Sequence, residues 1–114
     1  MLNYITLGSN NIARSVAFYD AVLAPLGLTR EAMAEDESLE DWVGWGPAAE
    51  QGAFKPSLWV CKPFNGQAAT AGNGVMVALG AASWQAVRAV YQAAMNNGGS
   101  SEGEPGLRPQ YGND

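Results

Sequence analysis

The stretch "GNGVMVALG", Gly72 to Gly80, reads as a glycine turn running into an alternating apolar strand with Met76 at its centre. Its pattern has a counterpart near the start of the chain. Sliding the sequence by 72 positions lays "YITLG" (Tyr4–Gly8) on "MVALG" (Met76–Gly80) and "AFYDA" (Ala17–Ala21) on "AVYQA" (Ala89–Ala93) without a gap. Under that offset Asn11 falls on Ser83, each suited to cap a helix N-terminus through its side-chain oxygen. Tyr19 falls on Tyr91, and Gly27 falls on Gly99 at the helix ends. A strand–glycine–helix unit occurring twice reads as a duplication, although amphipathic periodicity alone also makes such units resemble one another.

The first unit extends in both directions. Leu2–Leu7 carries β-prone Tyr, Ile and Thr, and Asn10 or Asn11 offers the helix N-cap. Ile12, Val16, Tyr19, Leu23 and Leu26 then fall at spacings of three and four, an apolar stripe that must pack on something, with Gly27 suited to the stop. Three short apolar or aromatic stretches follow, "LTREAMAE", "LEDWVGWG" and "PSLWVCKP", separated by acidic or Gly/Pro/Ala-rich turns. The first module, residues 1–66, therefore reads β-α-β-β-β. The second, residues 72–114, ends opposite Trp42, where the first module enters its third strand, so its last two strands have no sequence. The fold class expected is α+β, a single domain over residues 1–114 built from paired β-α-β-β-β modules, the second incomplete.

Composition narrows the partners. At 114 residues the chain has the usual length of one compact domain, and no apolar run approaches the roughly 20 residues of a membrane-spanning helix. The start "MLNYITLGSN" lacks the basic region and small-residue cleavage site of a secretory signal, and a lone Cys61 makes no internal disulfide. A soluble cytoplasmic protein with no membrane partner is the expectation. With a net charge of −5 and six scattered Lys and Arg, the chain lacks the basic footprint of a nucleic-acid binder. It contains no histidine, which removes the side chain that titrates near neutral pH and most often binds metals.

Paired modules carrying "RSVAFYDAVLAPLGL", "FNGQAATAGNG" and "GLRPQY" resemble the vicinal oxygen chelate superfamily of glyoxalases, bleomycin-resistance proteins and extradiol dioxygenases. The resemblance covers essentially the whole chain. It implies a U-shaped cleft in which catalytic members hold a divalent metal through a His or Gln on the first strand of each module and a carboxylate on the last. Here Tyr4 and Met76 stand at the two first-strand positions, "PSLWVCK" offers no carboxylate, and the fourth position belongs to a strand without sequence. A phenol is a poor ligand unless deprotonated, and a thioether is too soft for the metals the superfamily uses. The acidic run Glu35, Asp36, Glu37, Glu40 and Asp41 reads as a solvated turn. No metal, no other cofactor and no catalytic residue are expected.

Strand parity puts Ile5 and Leu7 under the helix and Tyr4 and Thr6 in the cleft. It likewise puts Val75, Val77 and Leu79 under a helix and Met76 in the cleft, with Ser57, Trp59 and Cys61 sharing one face of their strand. The candidate ligand-binding residues are Tyr4, Trp45, Trp59, Met76, Arg108 and Tyr111. The first four either line an open apolar pocket for a small organic molecule or plug the cleft as a second core. Arg108 offers a guanidinium for an anion and Tyr111 a hydrogen bond, or both sit in a frayed end. Cys61 reads as a buried structural cysteine. Three functions follow: a metal-free binder or sequesterer of a small organic molecule; a glyoxalase-like lyase, isomerase or dioxygenase; or a non-catalytic oligomeric unit. Open strand edges favour a homodimer, including one in which strands are exchanged between copies.

Overall fold

The computed structural model describes residues 2–31, 42–47, 56–101 and 103–106. Its elements run β1 (Ile5–Gly8), α1 (Ile12–Leu23), β2 (Leu28–Arg30), β3 (Trp42–Pro47), β4 (Leu58–Cys61) and α2 (Trp84–Asn96). The four strands form one sheet in the order β1-β4-β3-β2, with β1 parallel to β4 and the other neighbours antiparallel. The expected β-α-β-β-β module is present, and the class is α+β.

Local chemistry sets the helix boundaries. The Asn11 side chain accepts from the Arg14 N–H at 3.1 Å and starts α1, while Ser83 Oγ accepts from the Ala86 N–H at 3.1 Å and starts α2. Of the two asparagines that offered a cap, Asn11 takes the role. The apolar stripe of α1 reaches Leu26, but the α-helix stops at Leu23 and Ala24–Leu26 tightens into a 3-10 turn carrying Pro25. Gly27 closes it at φ +77°, a left-handed position that glycine occupies without steric cost. At the end of α2 the left-handed residue is Gly98, one position before the glycine that the 72-residue offset indicates.

Side-chain alternation gives the sheet two different faces. Ile5 and Leu7 of β1 and Leu58 and Val60 of β4 share one face with Val43 and Trp45 of β3, and α1 packs there through Ile12, Val16, Val22 and Leu23. α2 lies against α1 and the 3-10 turn, adding Val90, Ala93 and Ala94 to the edge of this core. No described helix covers the opposite face.

Two expectations fail. Residues 72–80 form no strand, and Val75, Met76, Val77 and Leu79 are exposed rather than packed beneath a helix. Alternating apolar residues suit a pleated surface, but a strand persists only where a neighbouring ladder takes up its backbone groups. No described strand does so here, and β1 remains an edge of the sheet. The second correction concerns Trp45, which is fully buried at 0% exposure on the helix side. Its indole N–H donates to Asp20 Oδ1 at 2.9 Å, and its ring tilts against Tyr19 at 5.4 Å. Trp45 follows Val43 at a spacing of two, so burial of one carries the other inward.

Candidate functional site

The uncovered face of the sheet supplies the floor of the site. Across β1, β4 and β3 the register places Thr6 beside Trp59, Gly8 beside Cys61, Cys61 beside Trp42 and Trp59 beside Gly44. Gly44 is required there: a Cβ at that position would stand 2.8 Å from two ring carbons of Trp59 and 2.7 Å from Pro56. The missing side chain gives the Trp59 ring its space against β3. Trp42 joins it with ring centroids 4.8 Å apart and planes inclined by 33°. This aromatic pair is half open to solvent, Trp42 being 51% exposed.

The loop after β4 forms a wall. It turns at Asn65-Gly66, where the Gly66 N–H reaches the Pro63 carbonyl at 3.0 Å and Asn65 Oδ1 accepts from the Gln67 N–H at 3.0 Å. Asn10 then fastens it: its Oδ1 accepts from the Ala69 N–H at 2.6 Å and its Nδ2 donates to the Ala69 carbonyl at 2.9 Å. One side-chain amide thus satisfies both backbone groups of Ala69, as a neighbouring strand would. The loop sits close on β1, since a Cβ on Gly8 would meet Ala69 at 3.2 Å and Pro63 at 3.3 Å. Between Thr6, Gly8 and Cys61 below and this loop beside them lies a groove of about 560 Å³, within the size range of small-molecule sites.

Among the described residues that line the groove, none is Lys, Arg, Asp or Glu. Cys61 is buried, and its desolvation pushes the thiol above its ordinary range, so it stays protonated at neutral pH and acts as a weak neutral donor.

The expected site residues separate on this geometry. Trp59 lies on the uncovered face, paired with Thr6 of the groove floor, but like Trp42 it does not itself line the groove. Tyr4, 57% exposed, immediately precedes β1 and does not line the groove. Met76, 87% exposed, does not line it either, and Trp45 is in the core. Arg108 and Tyr111 lie outside the described residues. Neither Trp45 nor Met76 fills the face. Sequence reasoning missed Trp42, Phe64 and Gln67. In "WVGWG" the parity that buries Val43 with Trp45 sends Trp42 outward, and that signal was readable. The other two stand in the "FNGQAATAGNG" turn, whose approach to β1 depends on the Asn10 clamp, a contact across 59 positions.

The divalent metal implied by the superfamily does not fit this donor set. Its first-strand positions hold an exposed phenol and an exposed thioether, and among the described residues no three His, Cys, Asp or Glu come together.

No protein-family model matches the sequence, and no curated protein does. The fold is nevertheless shared with a solved structure. A crystal structure of a glyoxalase/bleomycin resistance protein from Albidiferax ferrireducens T118 superposes with a TM-score of 0.72 at 28% identity, covering 92% of this chain and 76% of that one. The β-α-β-β-β module and this likeness give the chain a glyoxalase/bleomycin-resistance-like fold, in support of the resemblance to the vicinal oxygen chelate superfamily.

Proposed function

We propose that this chain binds a small organic molecule in the groove over β1 and β4 and makes or breaks no bond in it. The observation that carries this reading is the open face itself. A 560 Å³ groove stands beside a half-exposed Trp42–Trp59 pair, and its walls combine apolar surface with a few neutral hydrogen-bonding groups. The superfamily's metal chemistry is left out because the side chains at its ligand positions do not suit it. Among the described residues no helix is long and apolar enough to cross a membrane. A lone, buried, reduced Cys61 supports a cytoplasmic setting.

The proposal extends to a second copy of the chain. Support comes from β1, an edge of the described sheet, and from the exposed apolar row Val75, Met76, Val77 and Leu79.

A thermal-shift screen of small organic molecules tests the binding reading. A ligand held at 100 times its Kd stabilises the folded state by about 2.7 kcal/mol, and Tm rises by roughly 10 °C. The rise should be lost in Trp59→Ala. A ligand whose effect survives that substitution, or one that is turned over, contradicts the reading.

A further inference from the structure

We propose that Asn73 is a site of self-modification, closing onto the backbone nitrogen of Gly74 and hydrolysing to aspartate and isoaspartate ahead of the other Asn-Gly pairs of the chain.

Three Asn-Gly pairs occur in the sequence, Asn65-Gly66, Asn73-Gly74 and Asn97-Gly98, and all three lie among the described residues. The side-chain amide of an asparagine is open to attack by the next backbone nitrogen, and glycine hinders that attack least because it carries no Cβ. At this site the Gly74 nitrogen gives up its proton and bonds to Asn73 Cγ. The Cγ–Nδ2 bond breaks, ammonia leaves with a proton, and a five-membered succinimide is closed. Water then opens the ring. Cleavage between the nitrogen and Cγ gives aspartate, and cleavage between the nitrogen and the main-chain carbonyl carbon gives isoaspartate, with the chain running through Cβ. One water enters, one ammonia leaves, and nothing is oxidised or reduced. The new carboxylate stands just before Val75, at the head of the exposed apolar row.

Each pair offers the same attacking residue, and what differs is how the fold holds it. Ring closure swings the glycine nitrogen about the Cα–C bond of the asparagine until it lies beneath Cβ. At Asn97, the C-cap of α2, ψ is 25°, which turns the Gly98 nitrogen toward the nitrogen of Asn97 instead. Asn97 Nδ2 donates to the Ala93 carbonyl at 2.8 Å and the Gly99 N–H to the Ala94 carbonyl at 2.7 Å, so the swing undoes the end of the helix. At Asn65 the Gly66 N–H is held on the Pro63 carbonyl at 3.0 Å, closing a β-turn in which Asn65 is the third residue. Asn65 does not have a positive φ, so the turn is of type I, with ψ of about 0° at that residue. Asn65 Oδ1 is tied as well, accepting from the Gln67 N–H at 3.0 Å. Asn73 and Gly74 are both exposed in a turn, and among the described residues no hydrogen bond is made to either. Residues 75–80 belong to no strand or helix, so the swing at Asn73 breaks no element.

The test is to incubate the full chain in neutral buffer made with H2¹⁸O, with and without denaturing guanidinium chloride, and to digest it with pepsin in acid. Fragment mass spectra then locate the ¹⁸O-labelled aspartate and isoaspartate. In buffer, Asn73 is expected to convert roughly tenfold or more faster than Asn65 or Asn97, each of which must first give up two hydrogen bonds. In denaturant the three rates are expected to converge. Conversion of Asn65 or Asn97 as fast as Asn73 in buffer overturns the inference, as does an Asn73 that takes up label only when unfolded. A lead of the same size in denaturant overturns it too, since flanking residues and not the fold would then set the order.

Discussion

Two tryptophans three positions apart have opposite roles. Trp45 is sealed on the helix side with its indole N–H on Asp20, whereas Trp42 leans on Trp59 at the surface. Trp45→Ala is expected to cost about 3–5 kcal/mol, since a buried indole leaves a cavity and an orphaned hydrogen-bond partner. Trp42→Ala should cost about 0.5–1.5 kcal/mol, the worth of an aromatic pair. Urea denaturation of the two variants separates them; equal losses contradict the assignment of faces. Arg30 also reaches Asp20 at 3.2 Å, but both side chains are more than a third exposed, so the ion pair adds little. Cys61 gives a pH signature. Burial raises its folded pKa above the usual thiol value of 9.0, so its contribution to stability is intact below that pH. That contribution falls as pH rises from there through the folded pKa. The unfolding free energy should therefore drop more steeply above pH 9.0 in the native protein than in Cys61→Ala. Parallel curves would show that the thiol is not desolvated. Which tryptophan faces the core was legible from the parity of Val43. That Trp59 lies against β3 was not, because the space at Gly44 opens only once β3 and β4 are in register.

At the level of elements, what the sequence settles locally came out as read. Both helices start on the caps that the 72-residue offset aligned, and Gly27 ends the first. A cap bond joins residues three positions apart and needs nothing from the rest of the chain. Strand formation at 72–80 depends instead on a distant ladder, and alternation of side chains says nothing about whether a partner exists. The loop over the groove lies between these cases. Its turn is visible in Asn65-Gly66, but its anchoring depends on Asn10, far off in sequence. The adjacent asparagines allow the two effects to be told apart. Asn11→Ala should cost about 1 kcal/mol of stability through the lost cap. Asn10→Ala should leave α1 capped and speed amide hydrogen exchange at Gln67 and Ala69. Exchange that is unchanged there would mean that the loop is held by something other than the two bonds to Ala69.

The described residues present one sheet face packed by helices and one that no described helix covers, with β1 at an edge of the described sheet and an exposed apolar row at 75–79. On the proposal of a second copy, light scattering coupled to size exclusion should give twice the 12.0 kDa of one chain, and Met76→Lys should return the mass to that of the monomer. A monomer at every concentration would contradict that partner. The central claim, that the open face binds a ligand, is most directly tested by following the four indole N–H signals of Trp42, Trp45, Trp59 and Trp84 while the strongest compound from the thermal-shift screen is added. The account predicts that Trp59 and Trp42 move together at saturation while Trp45, in the core, and Trp84, at the start of α2, stay in place. Movement of Trp84 or Trp45 with Trp59 unaffected would put the ligand elsewhere and contradict it.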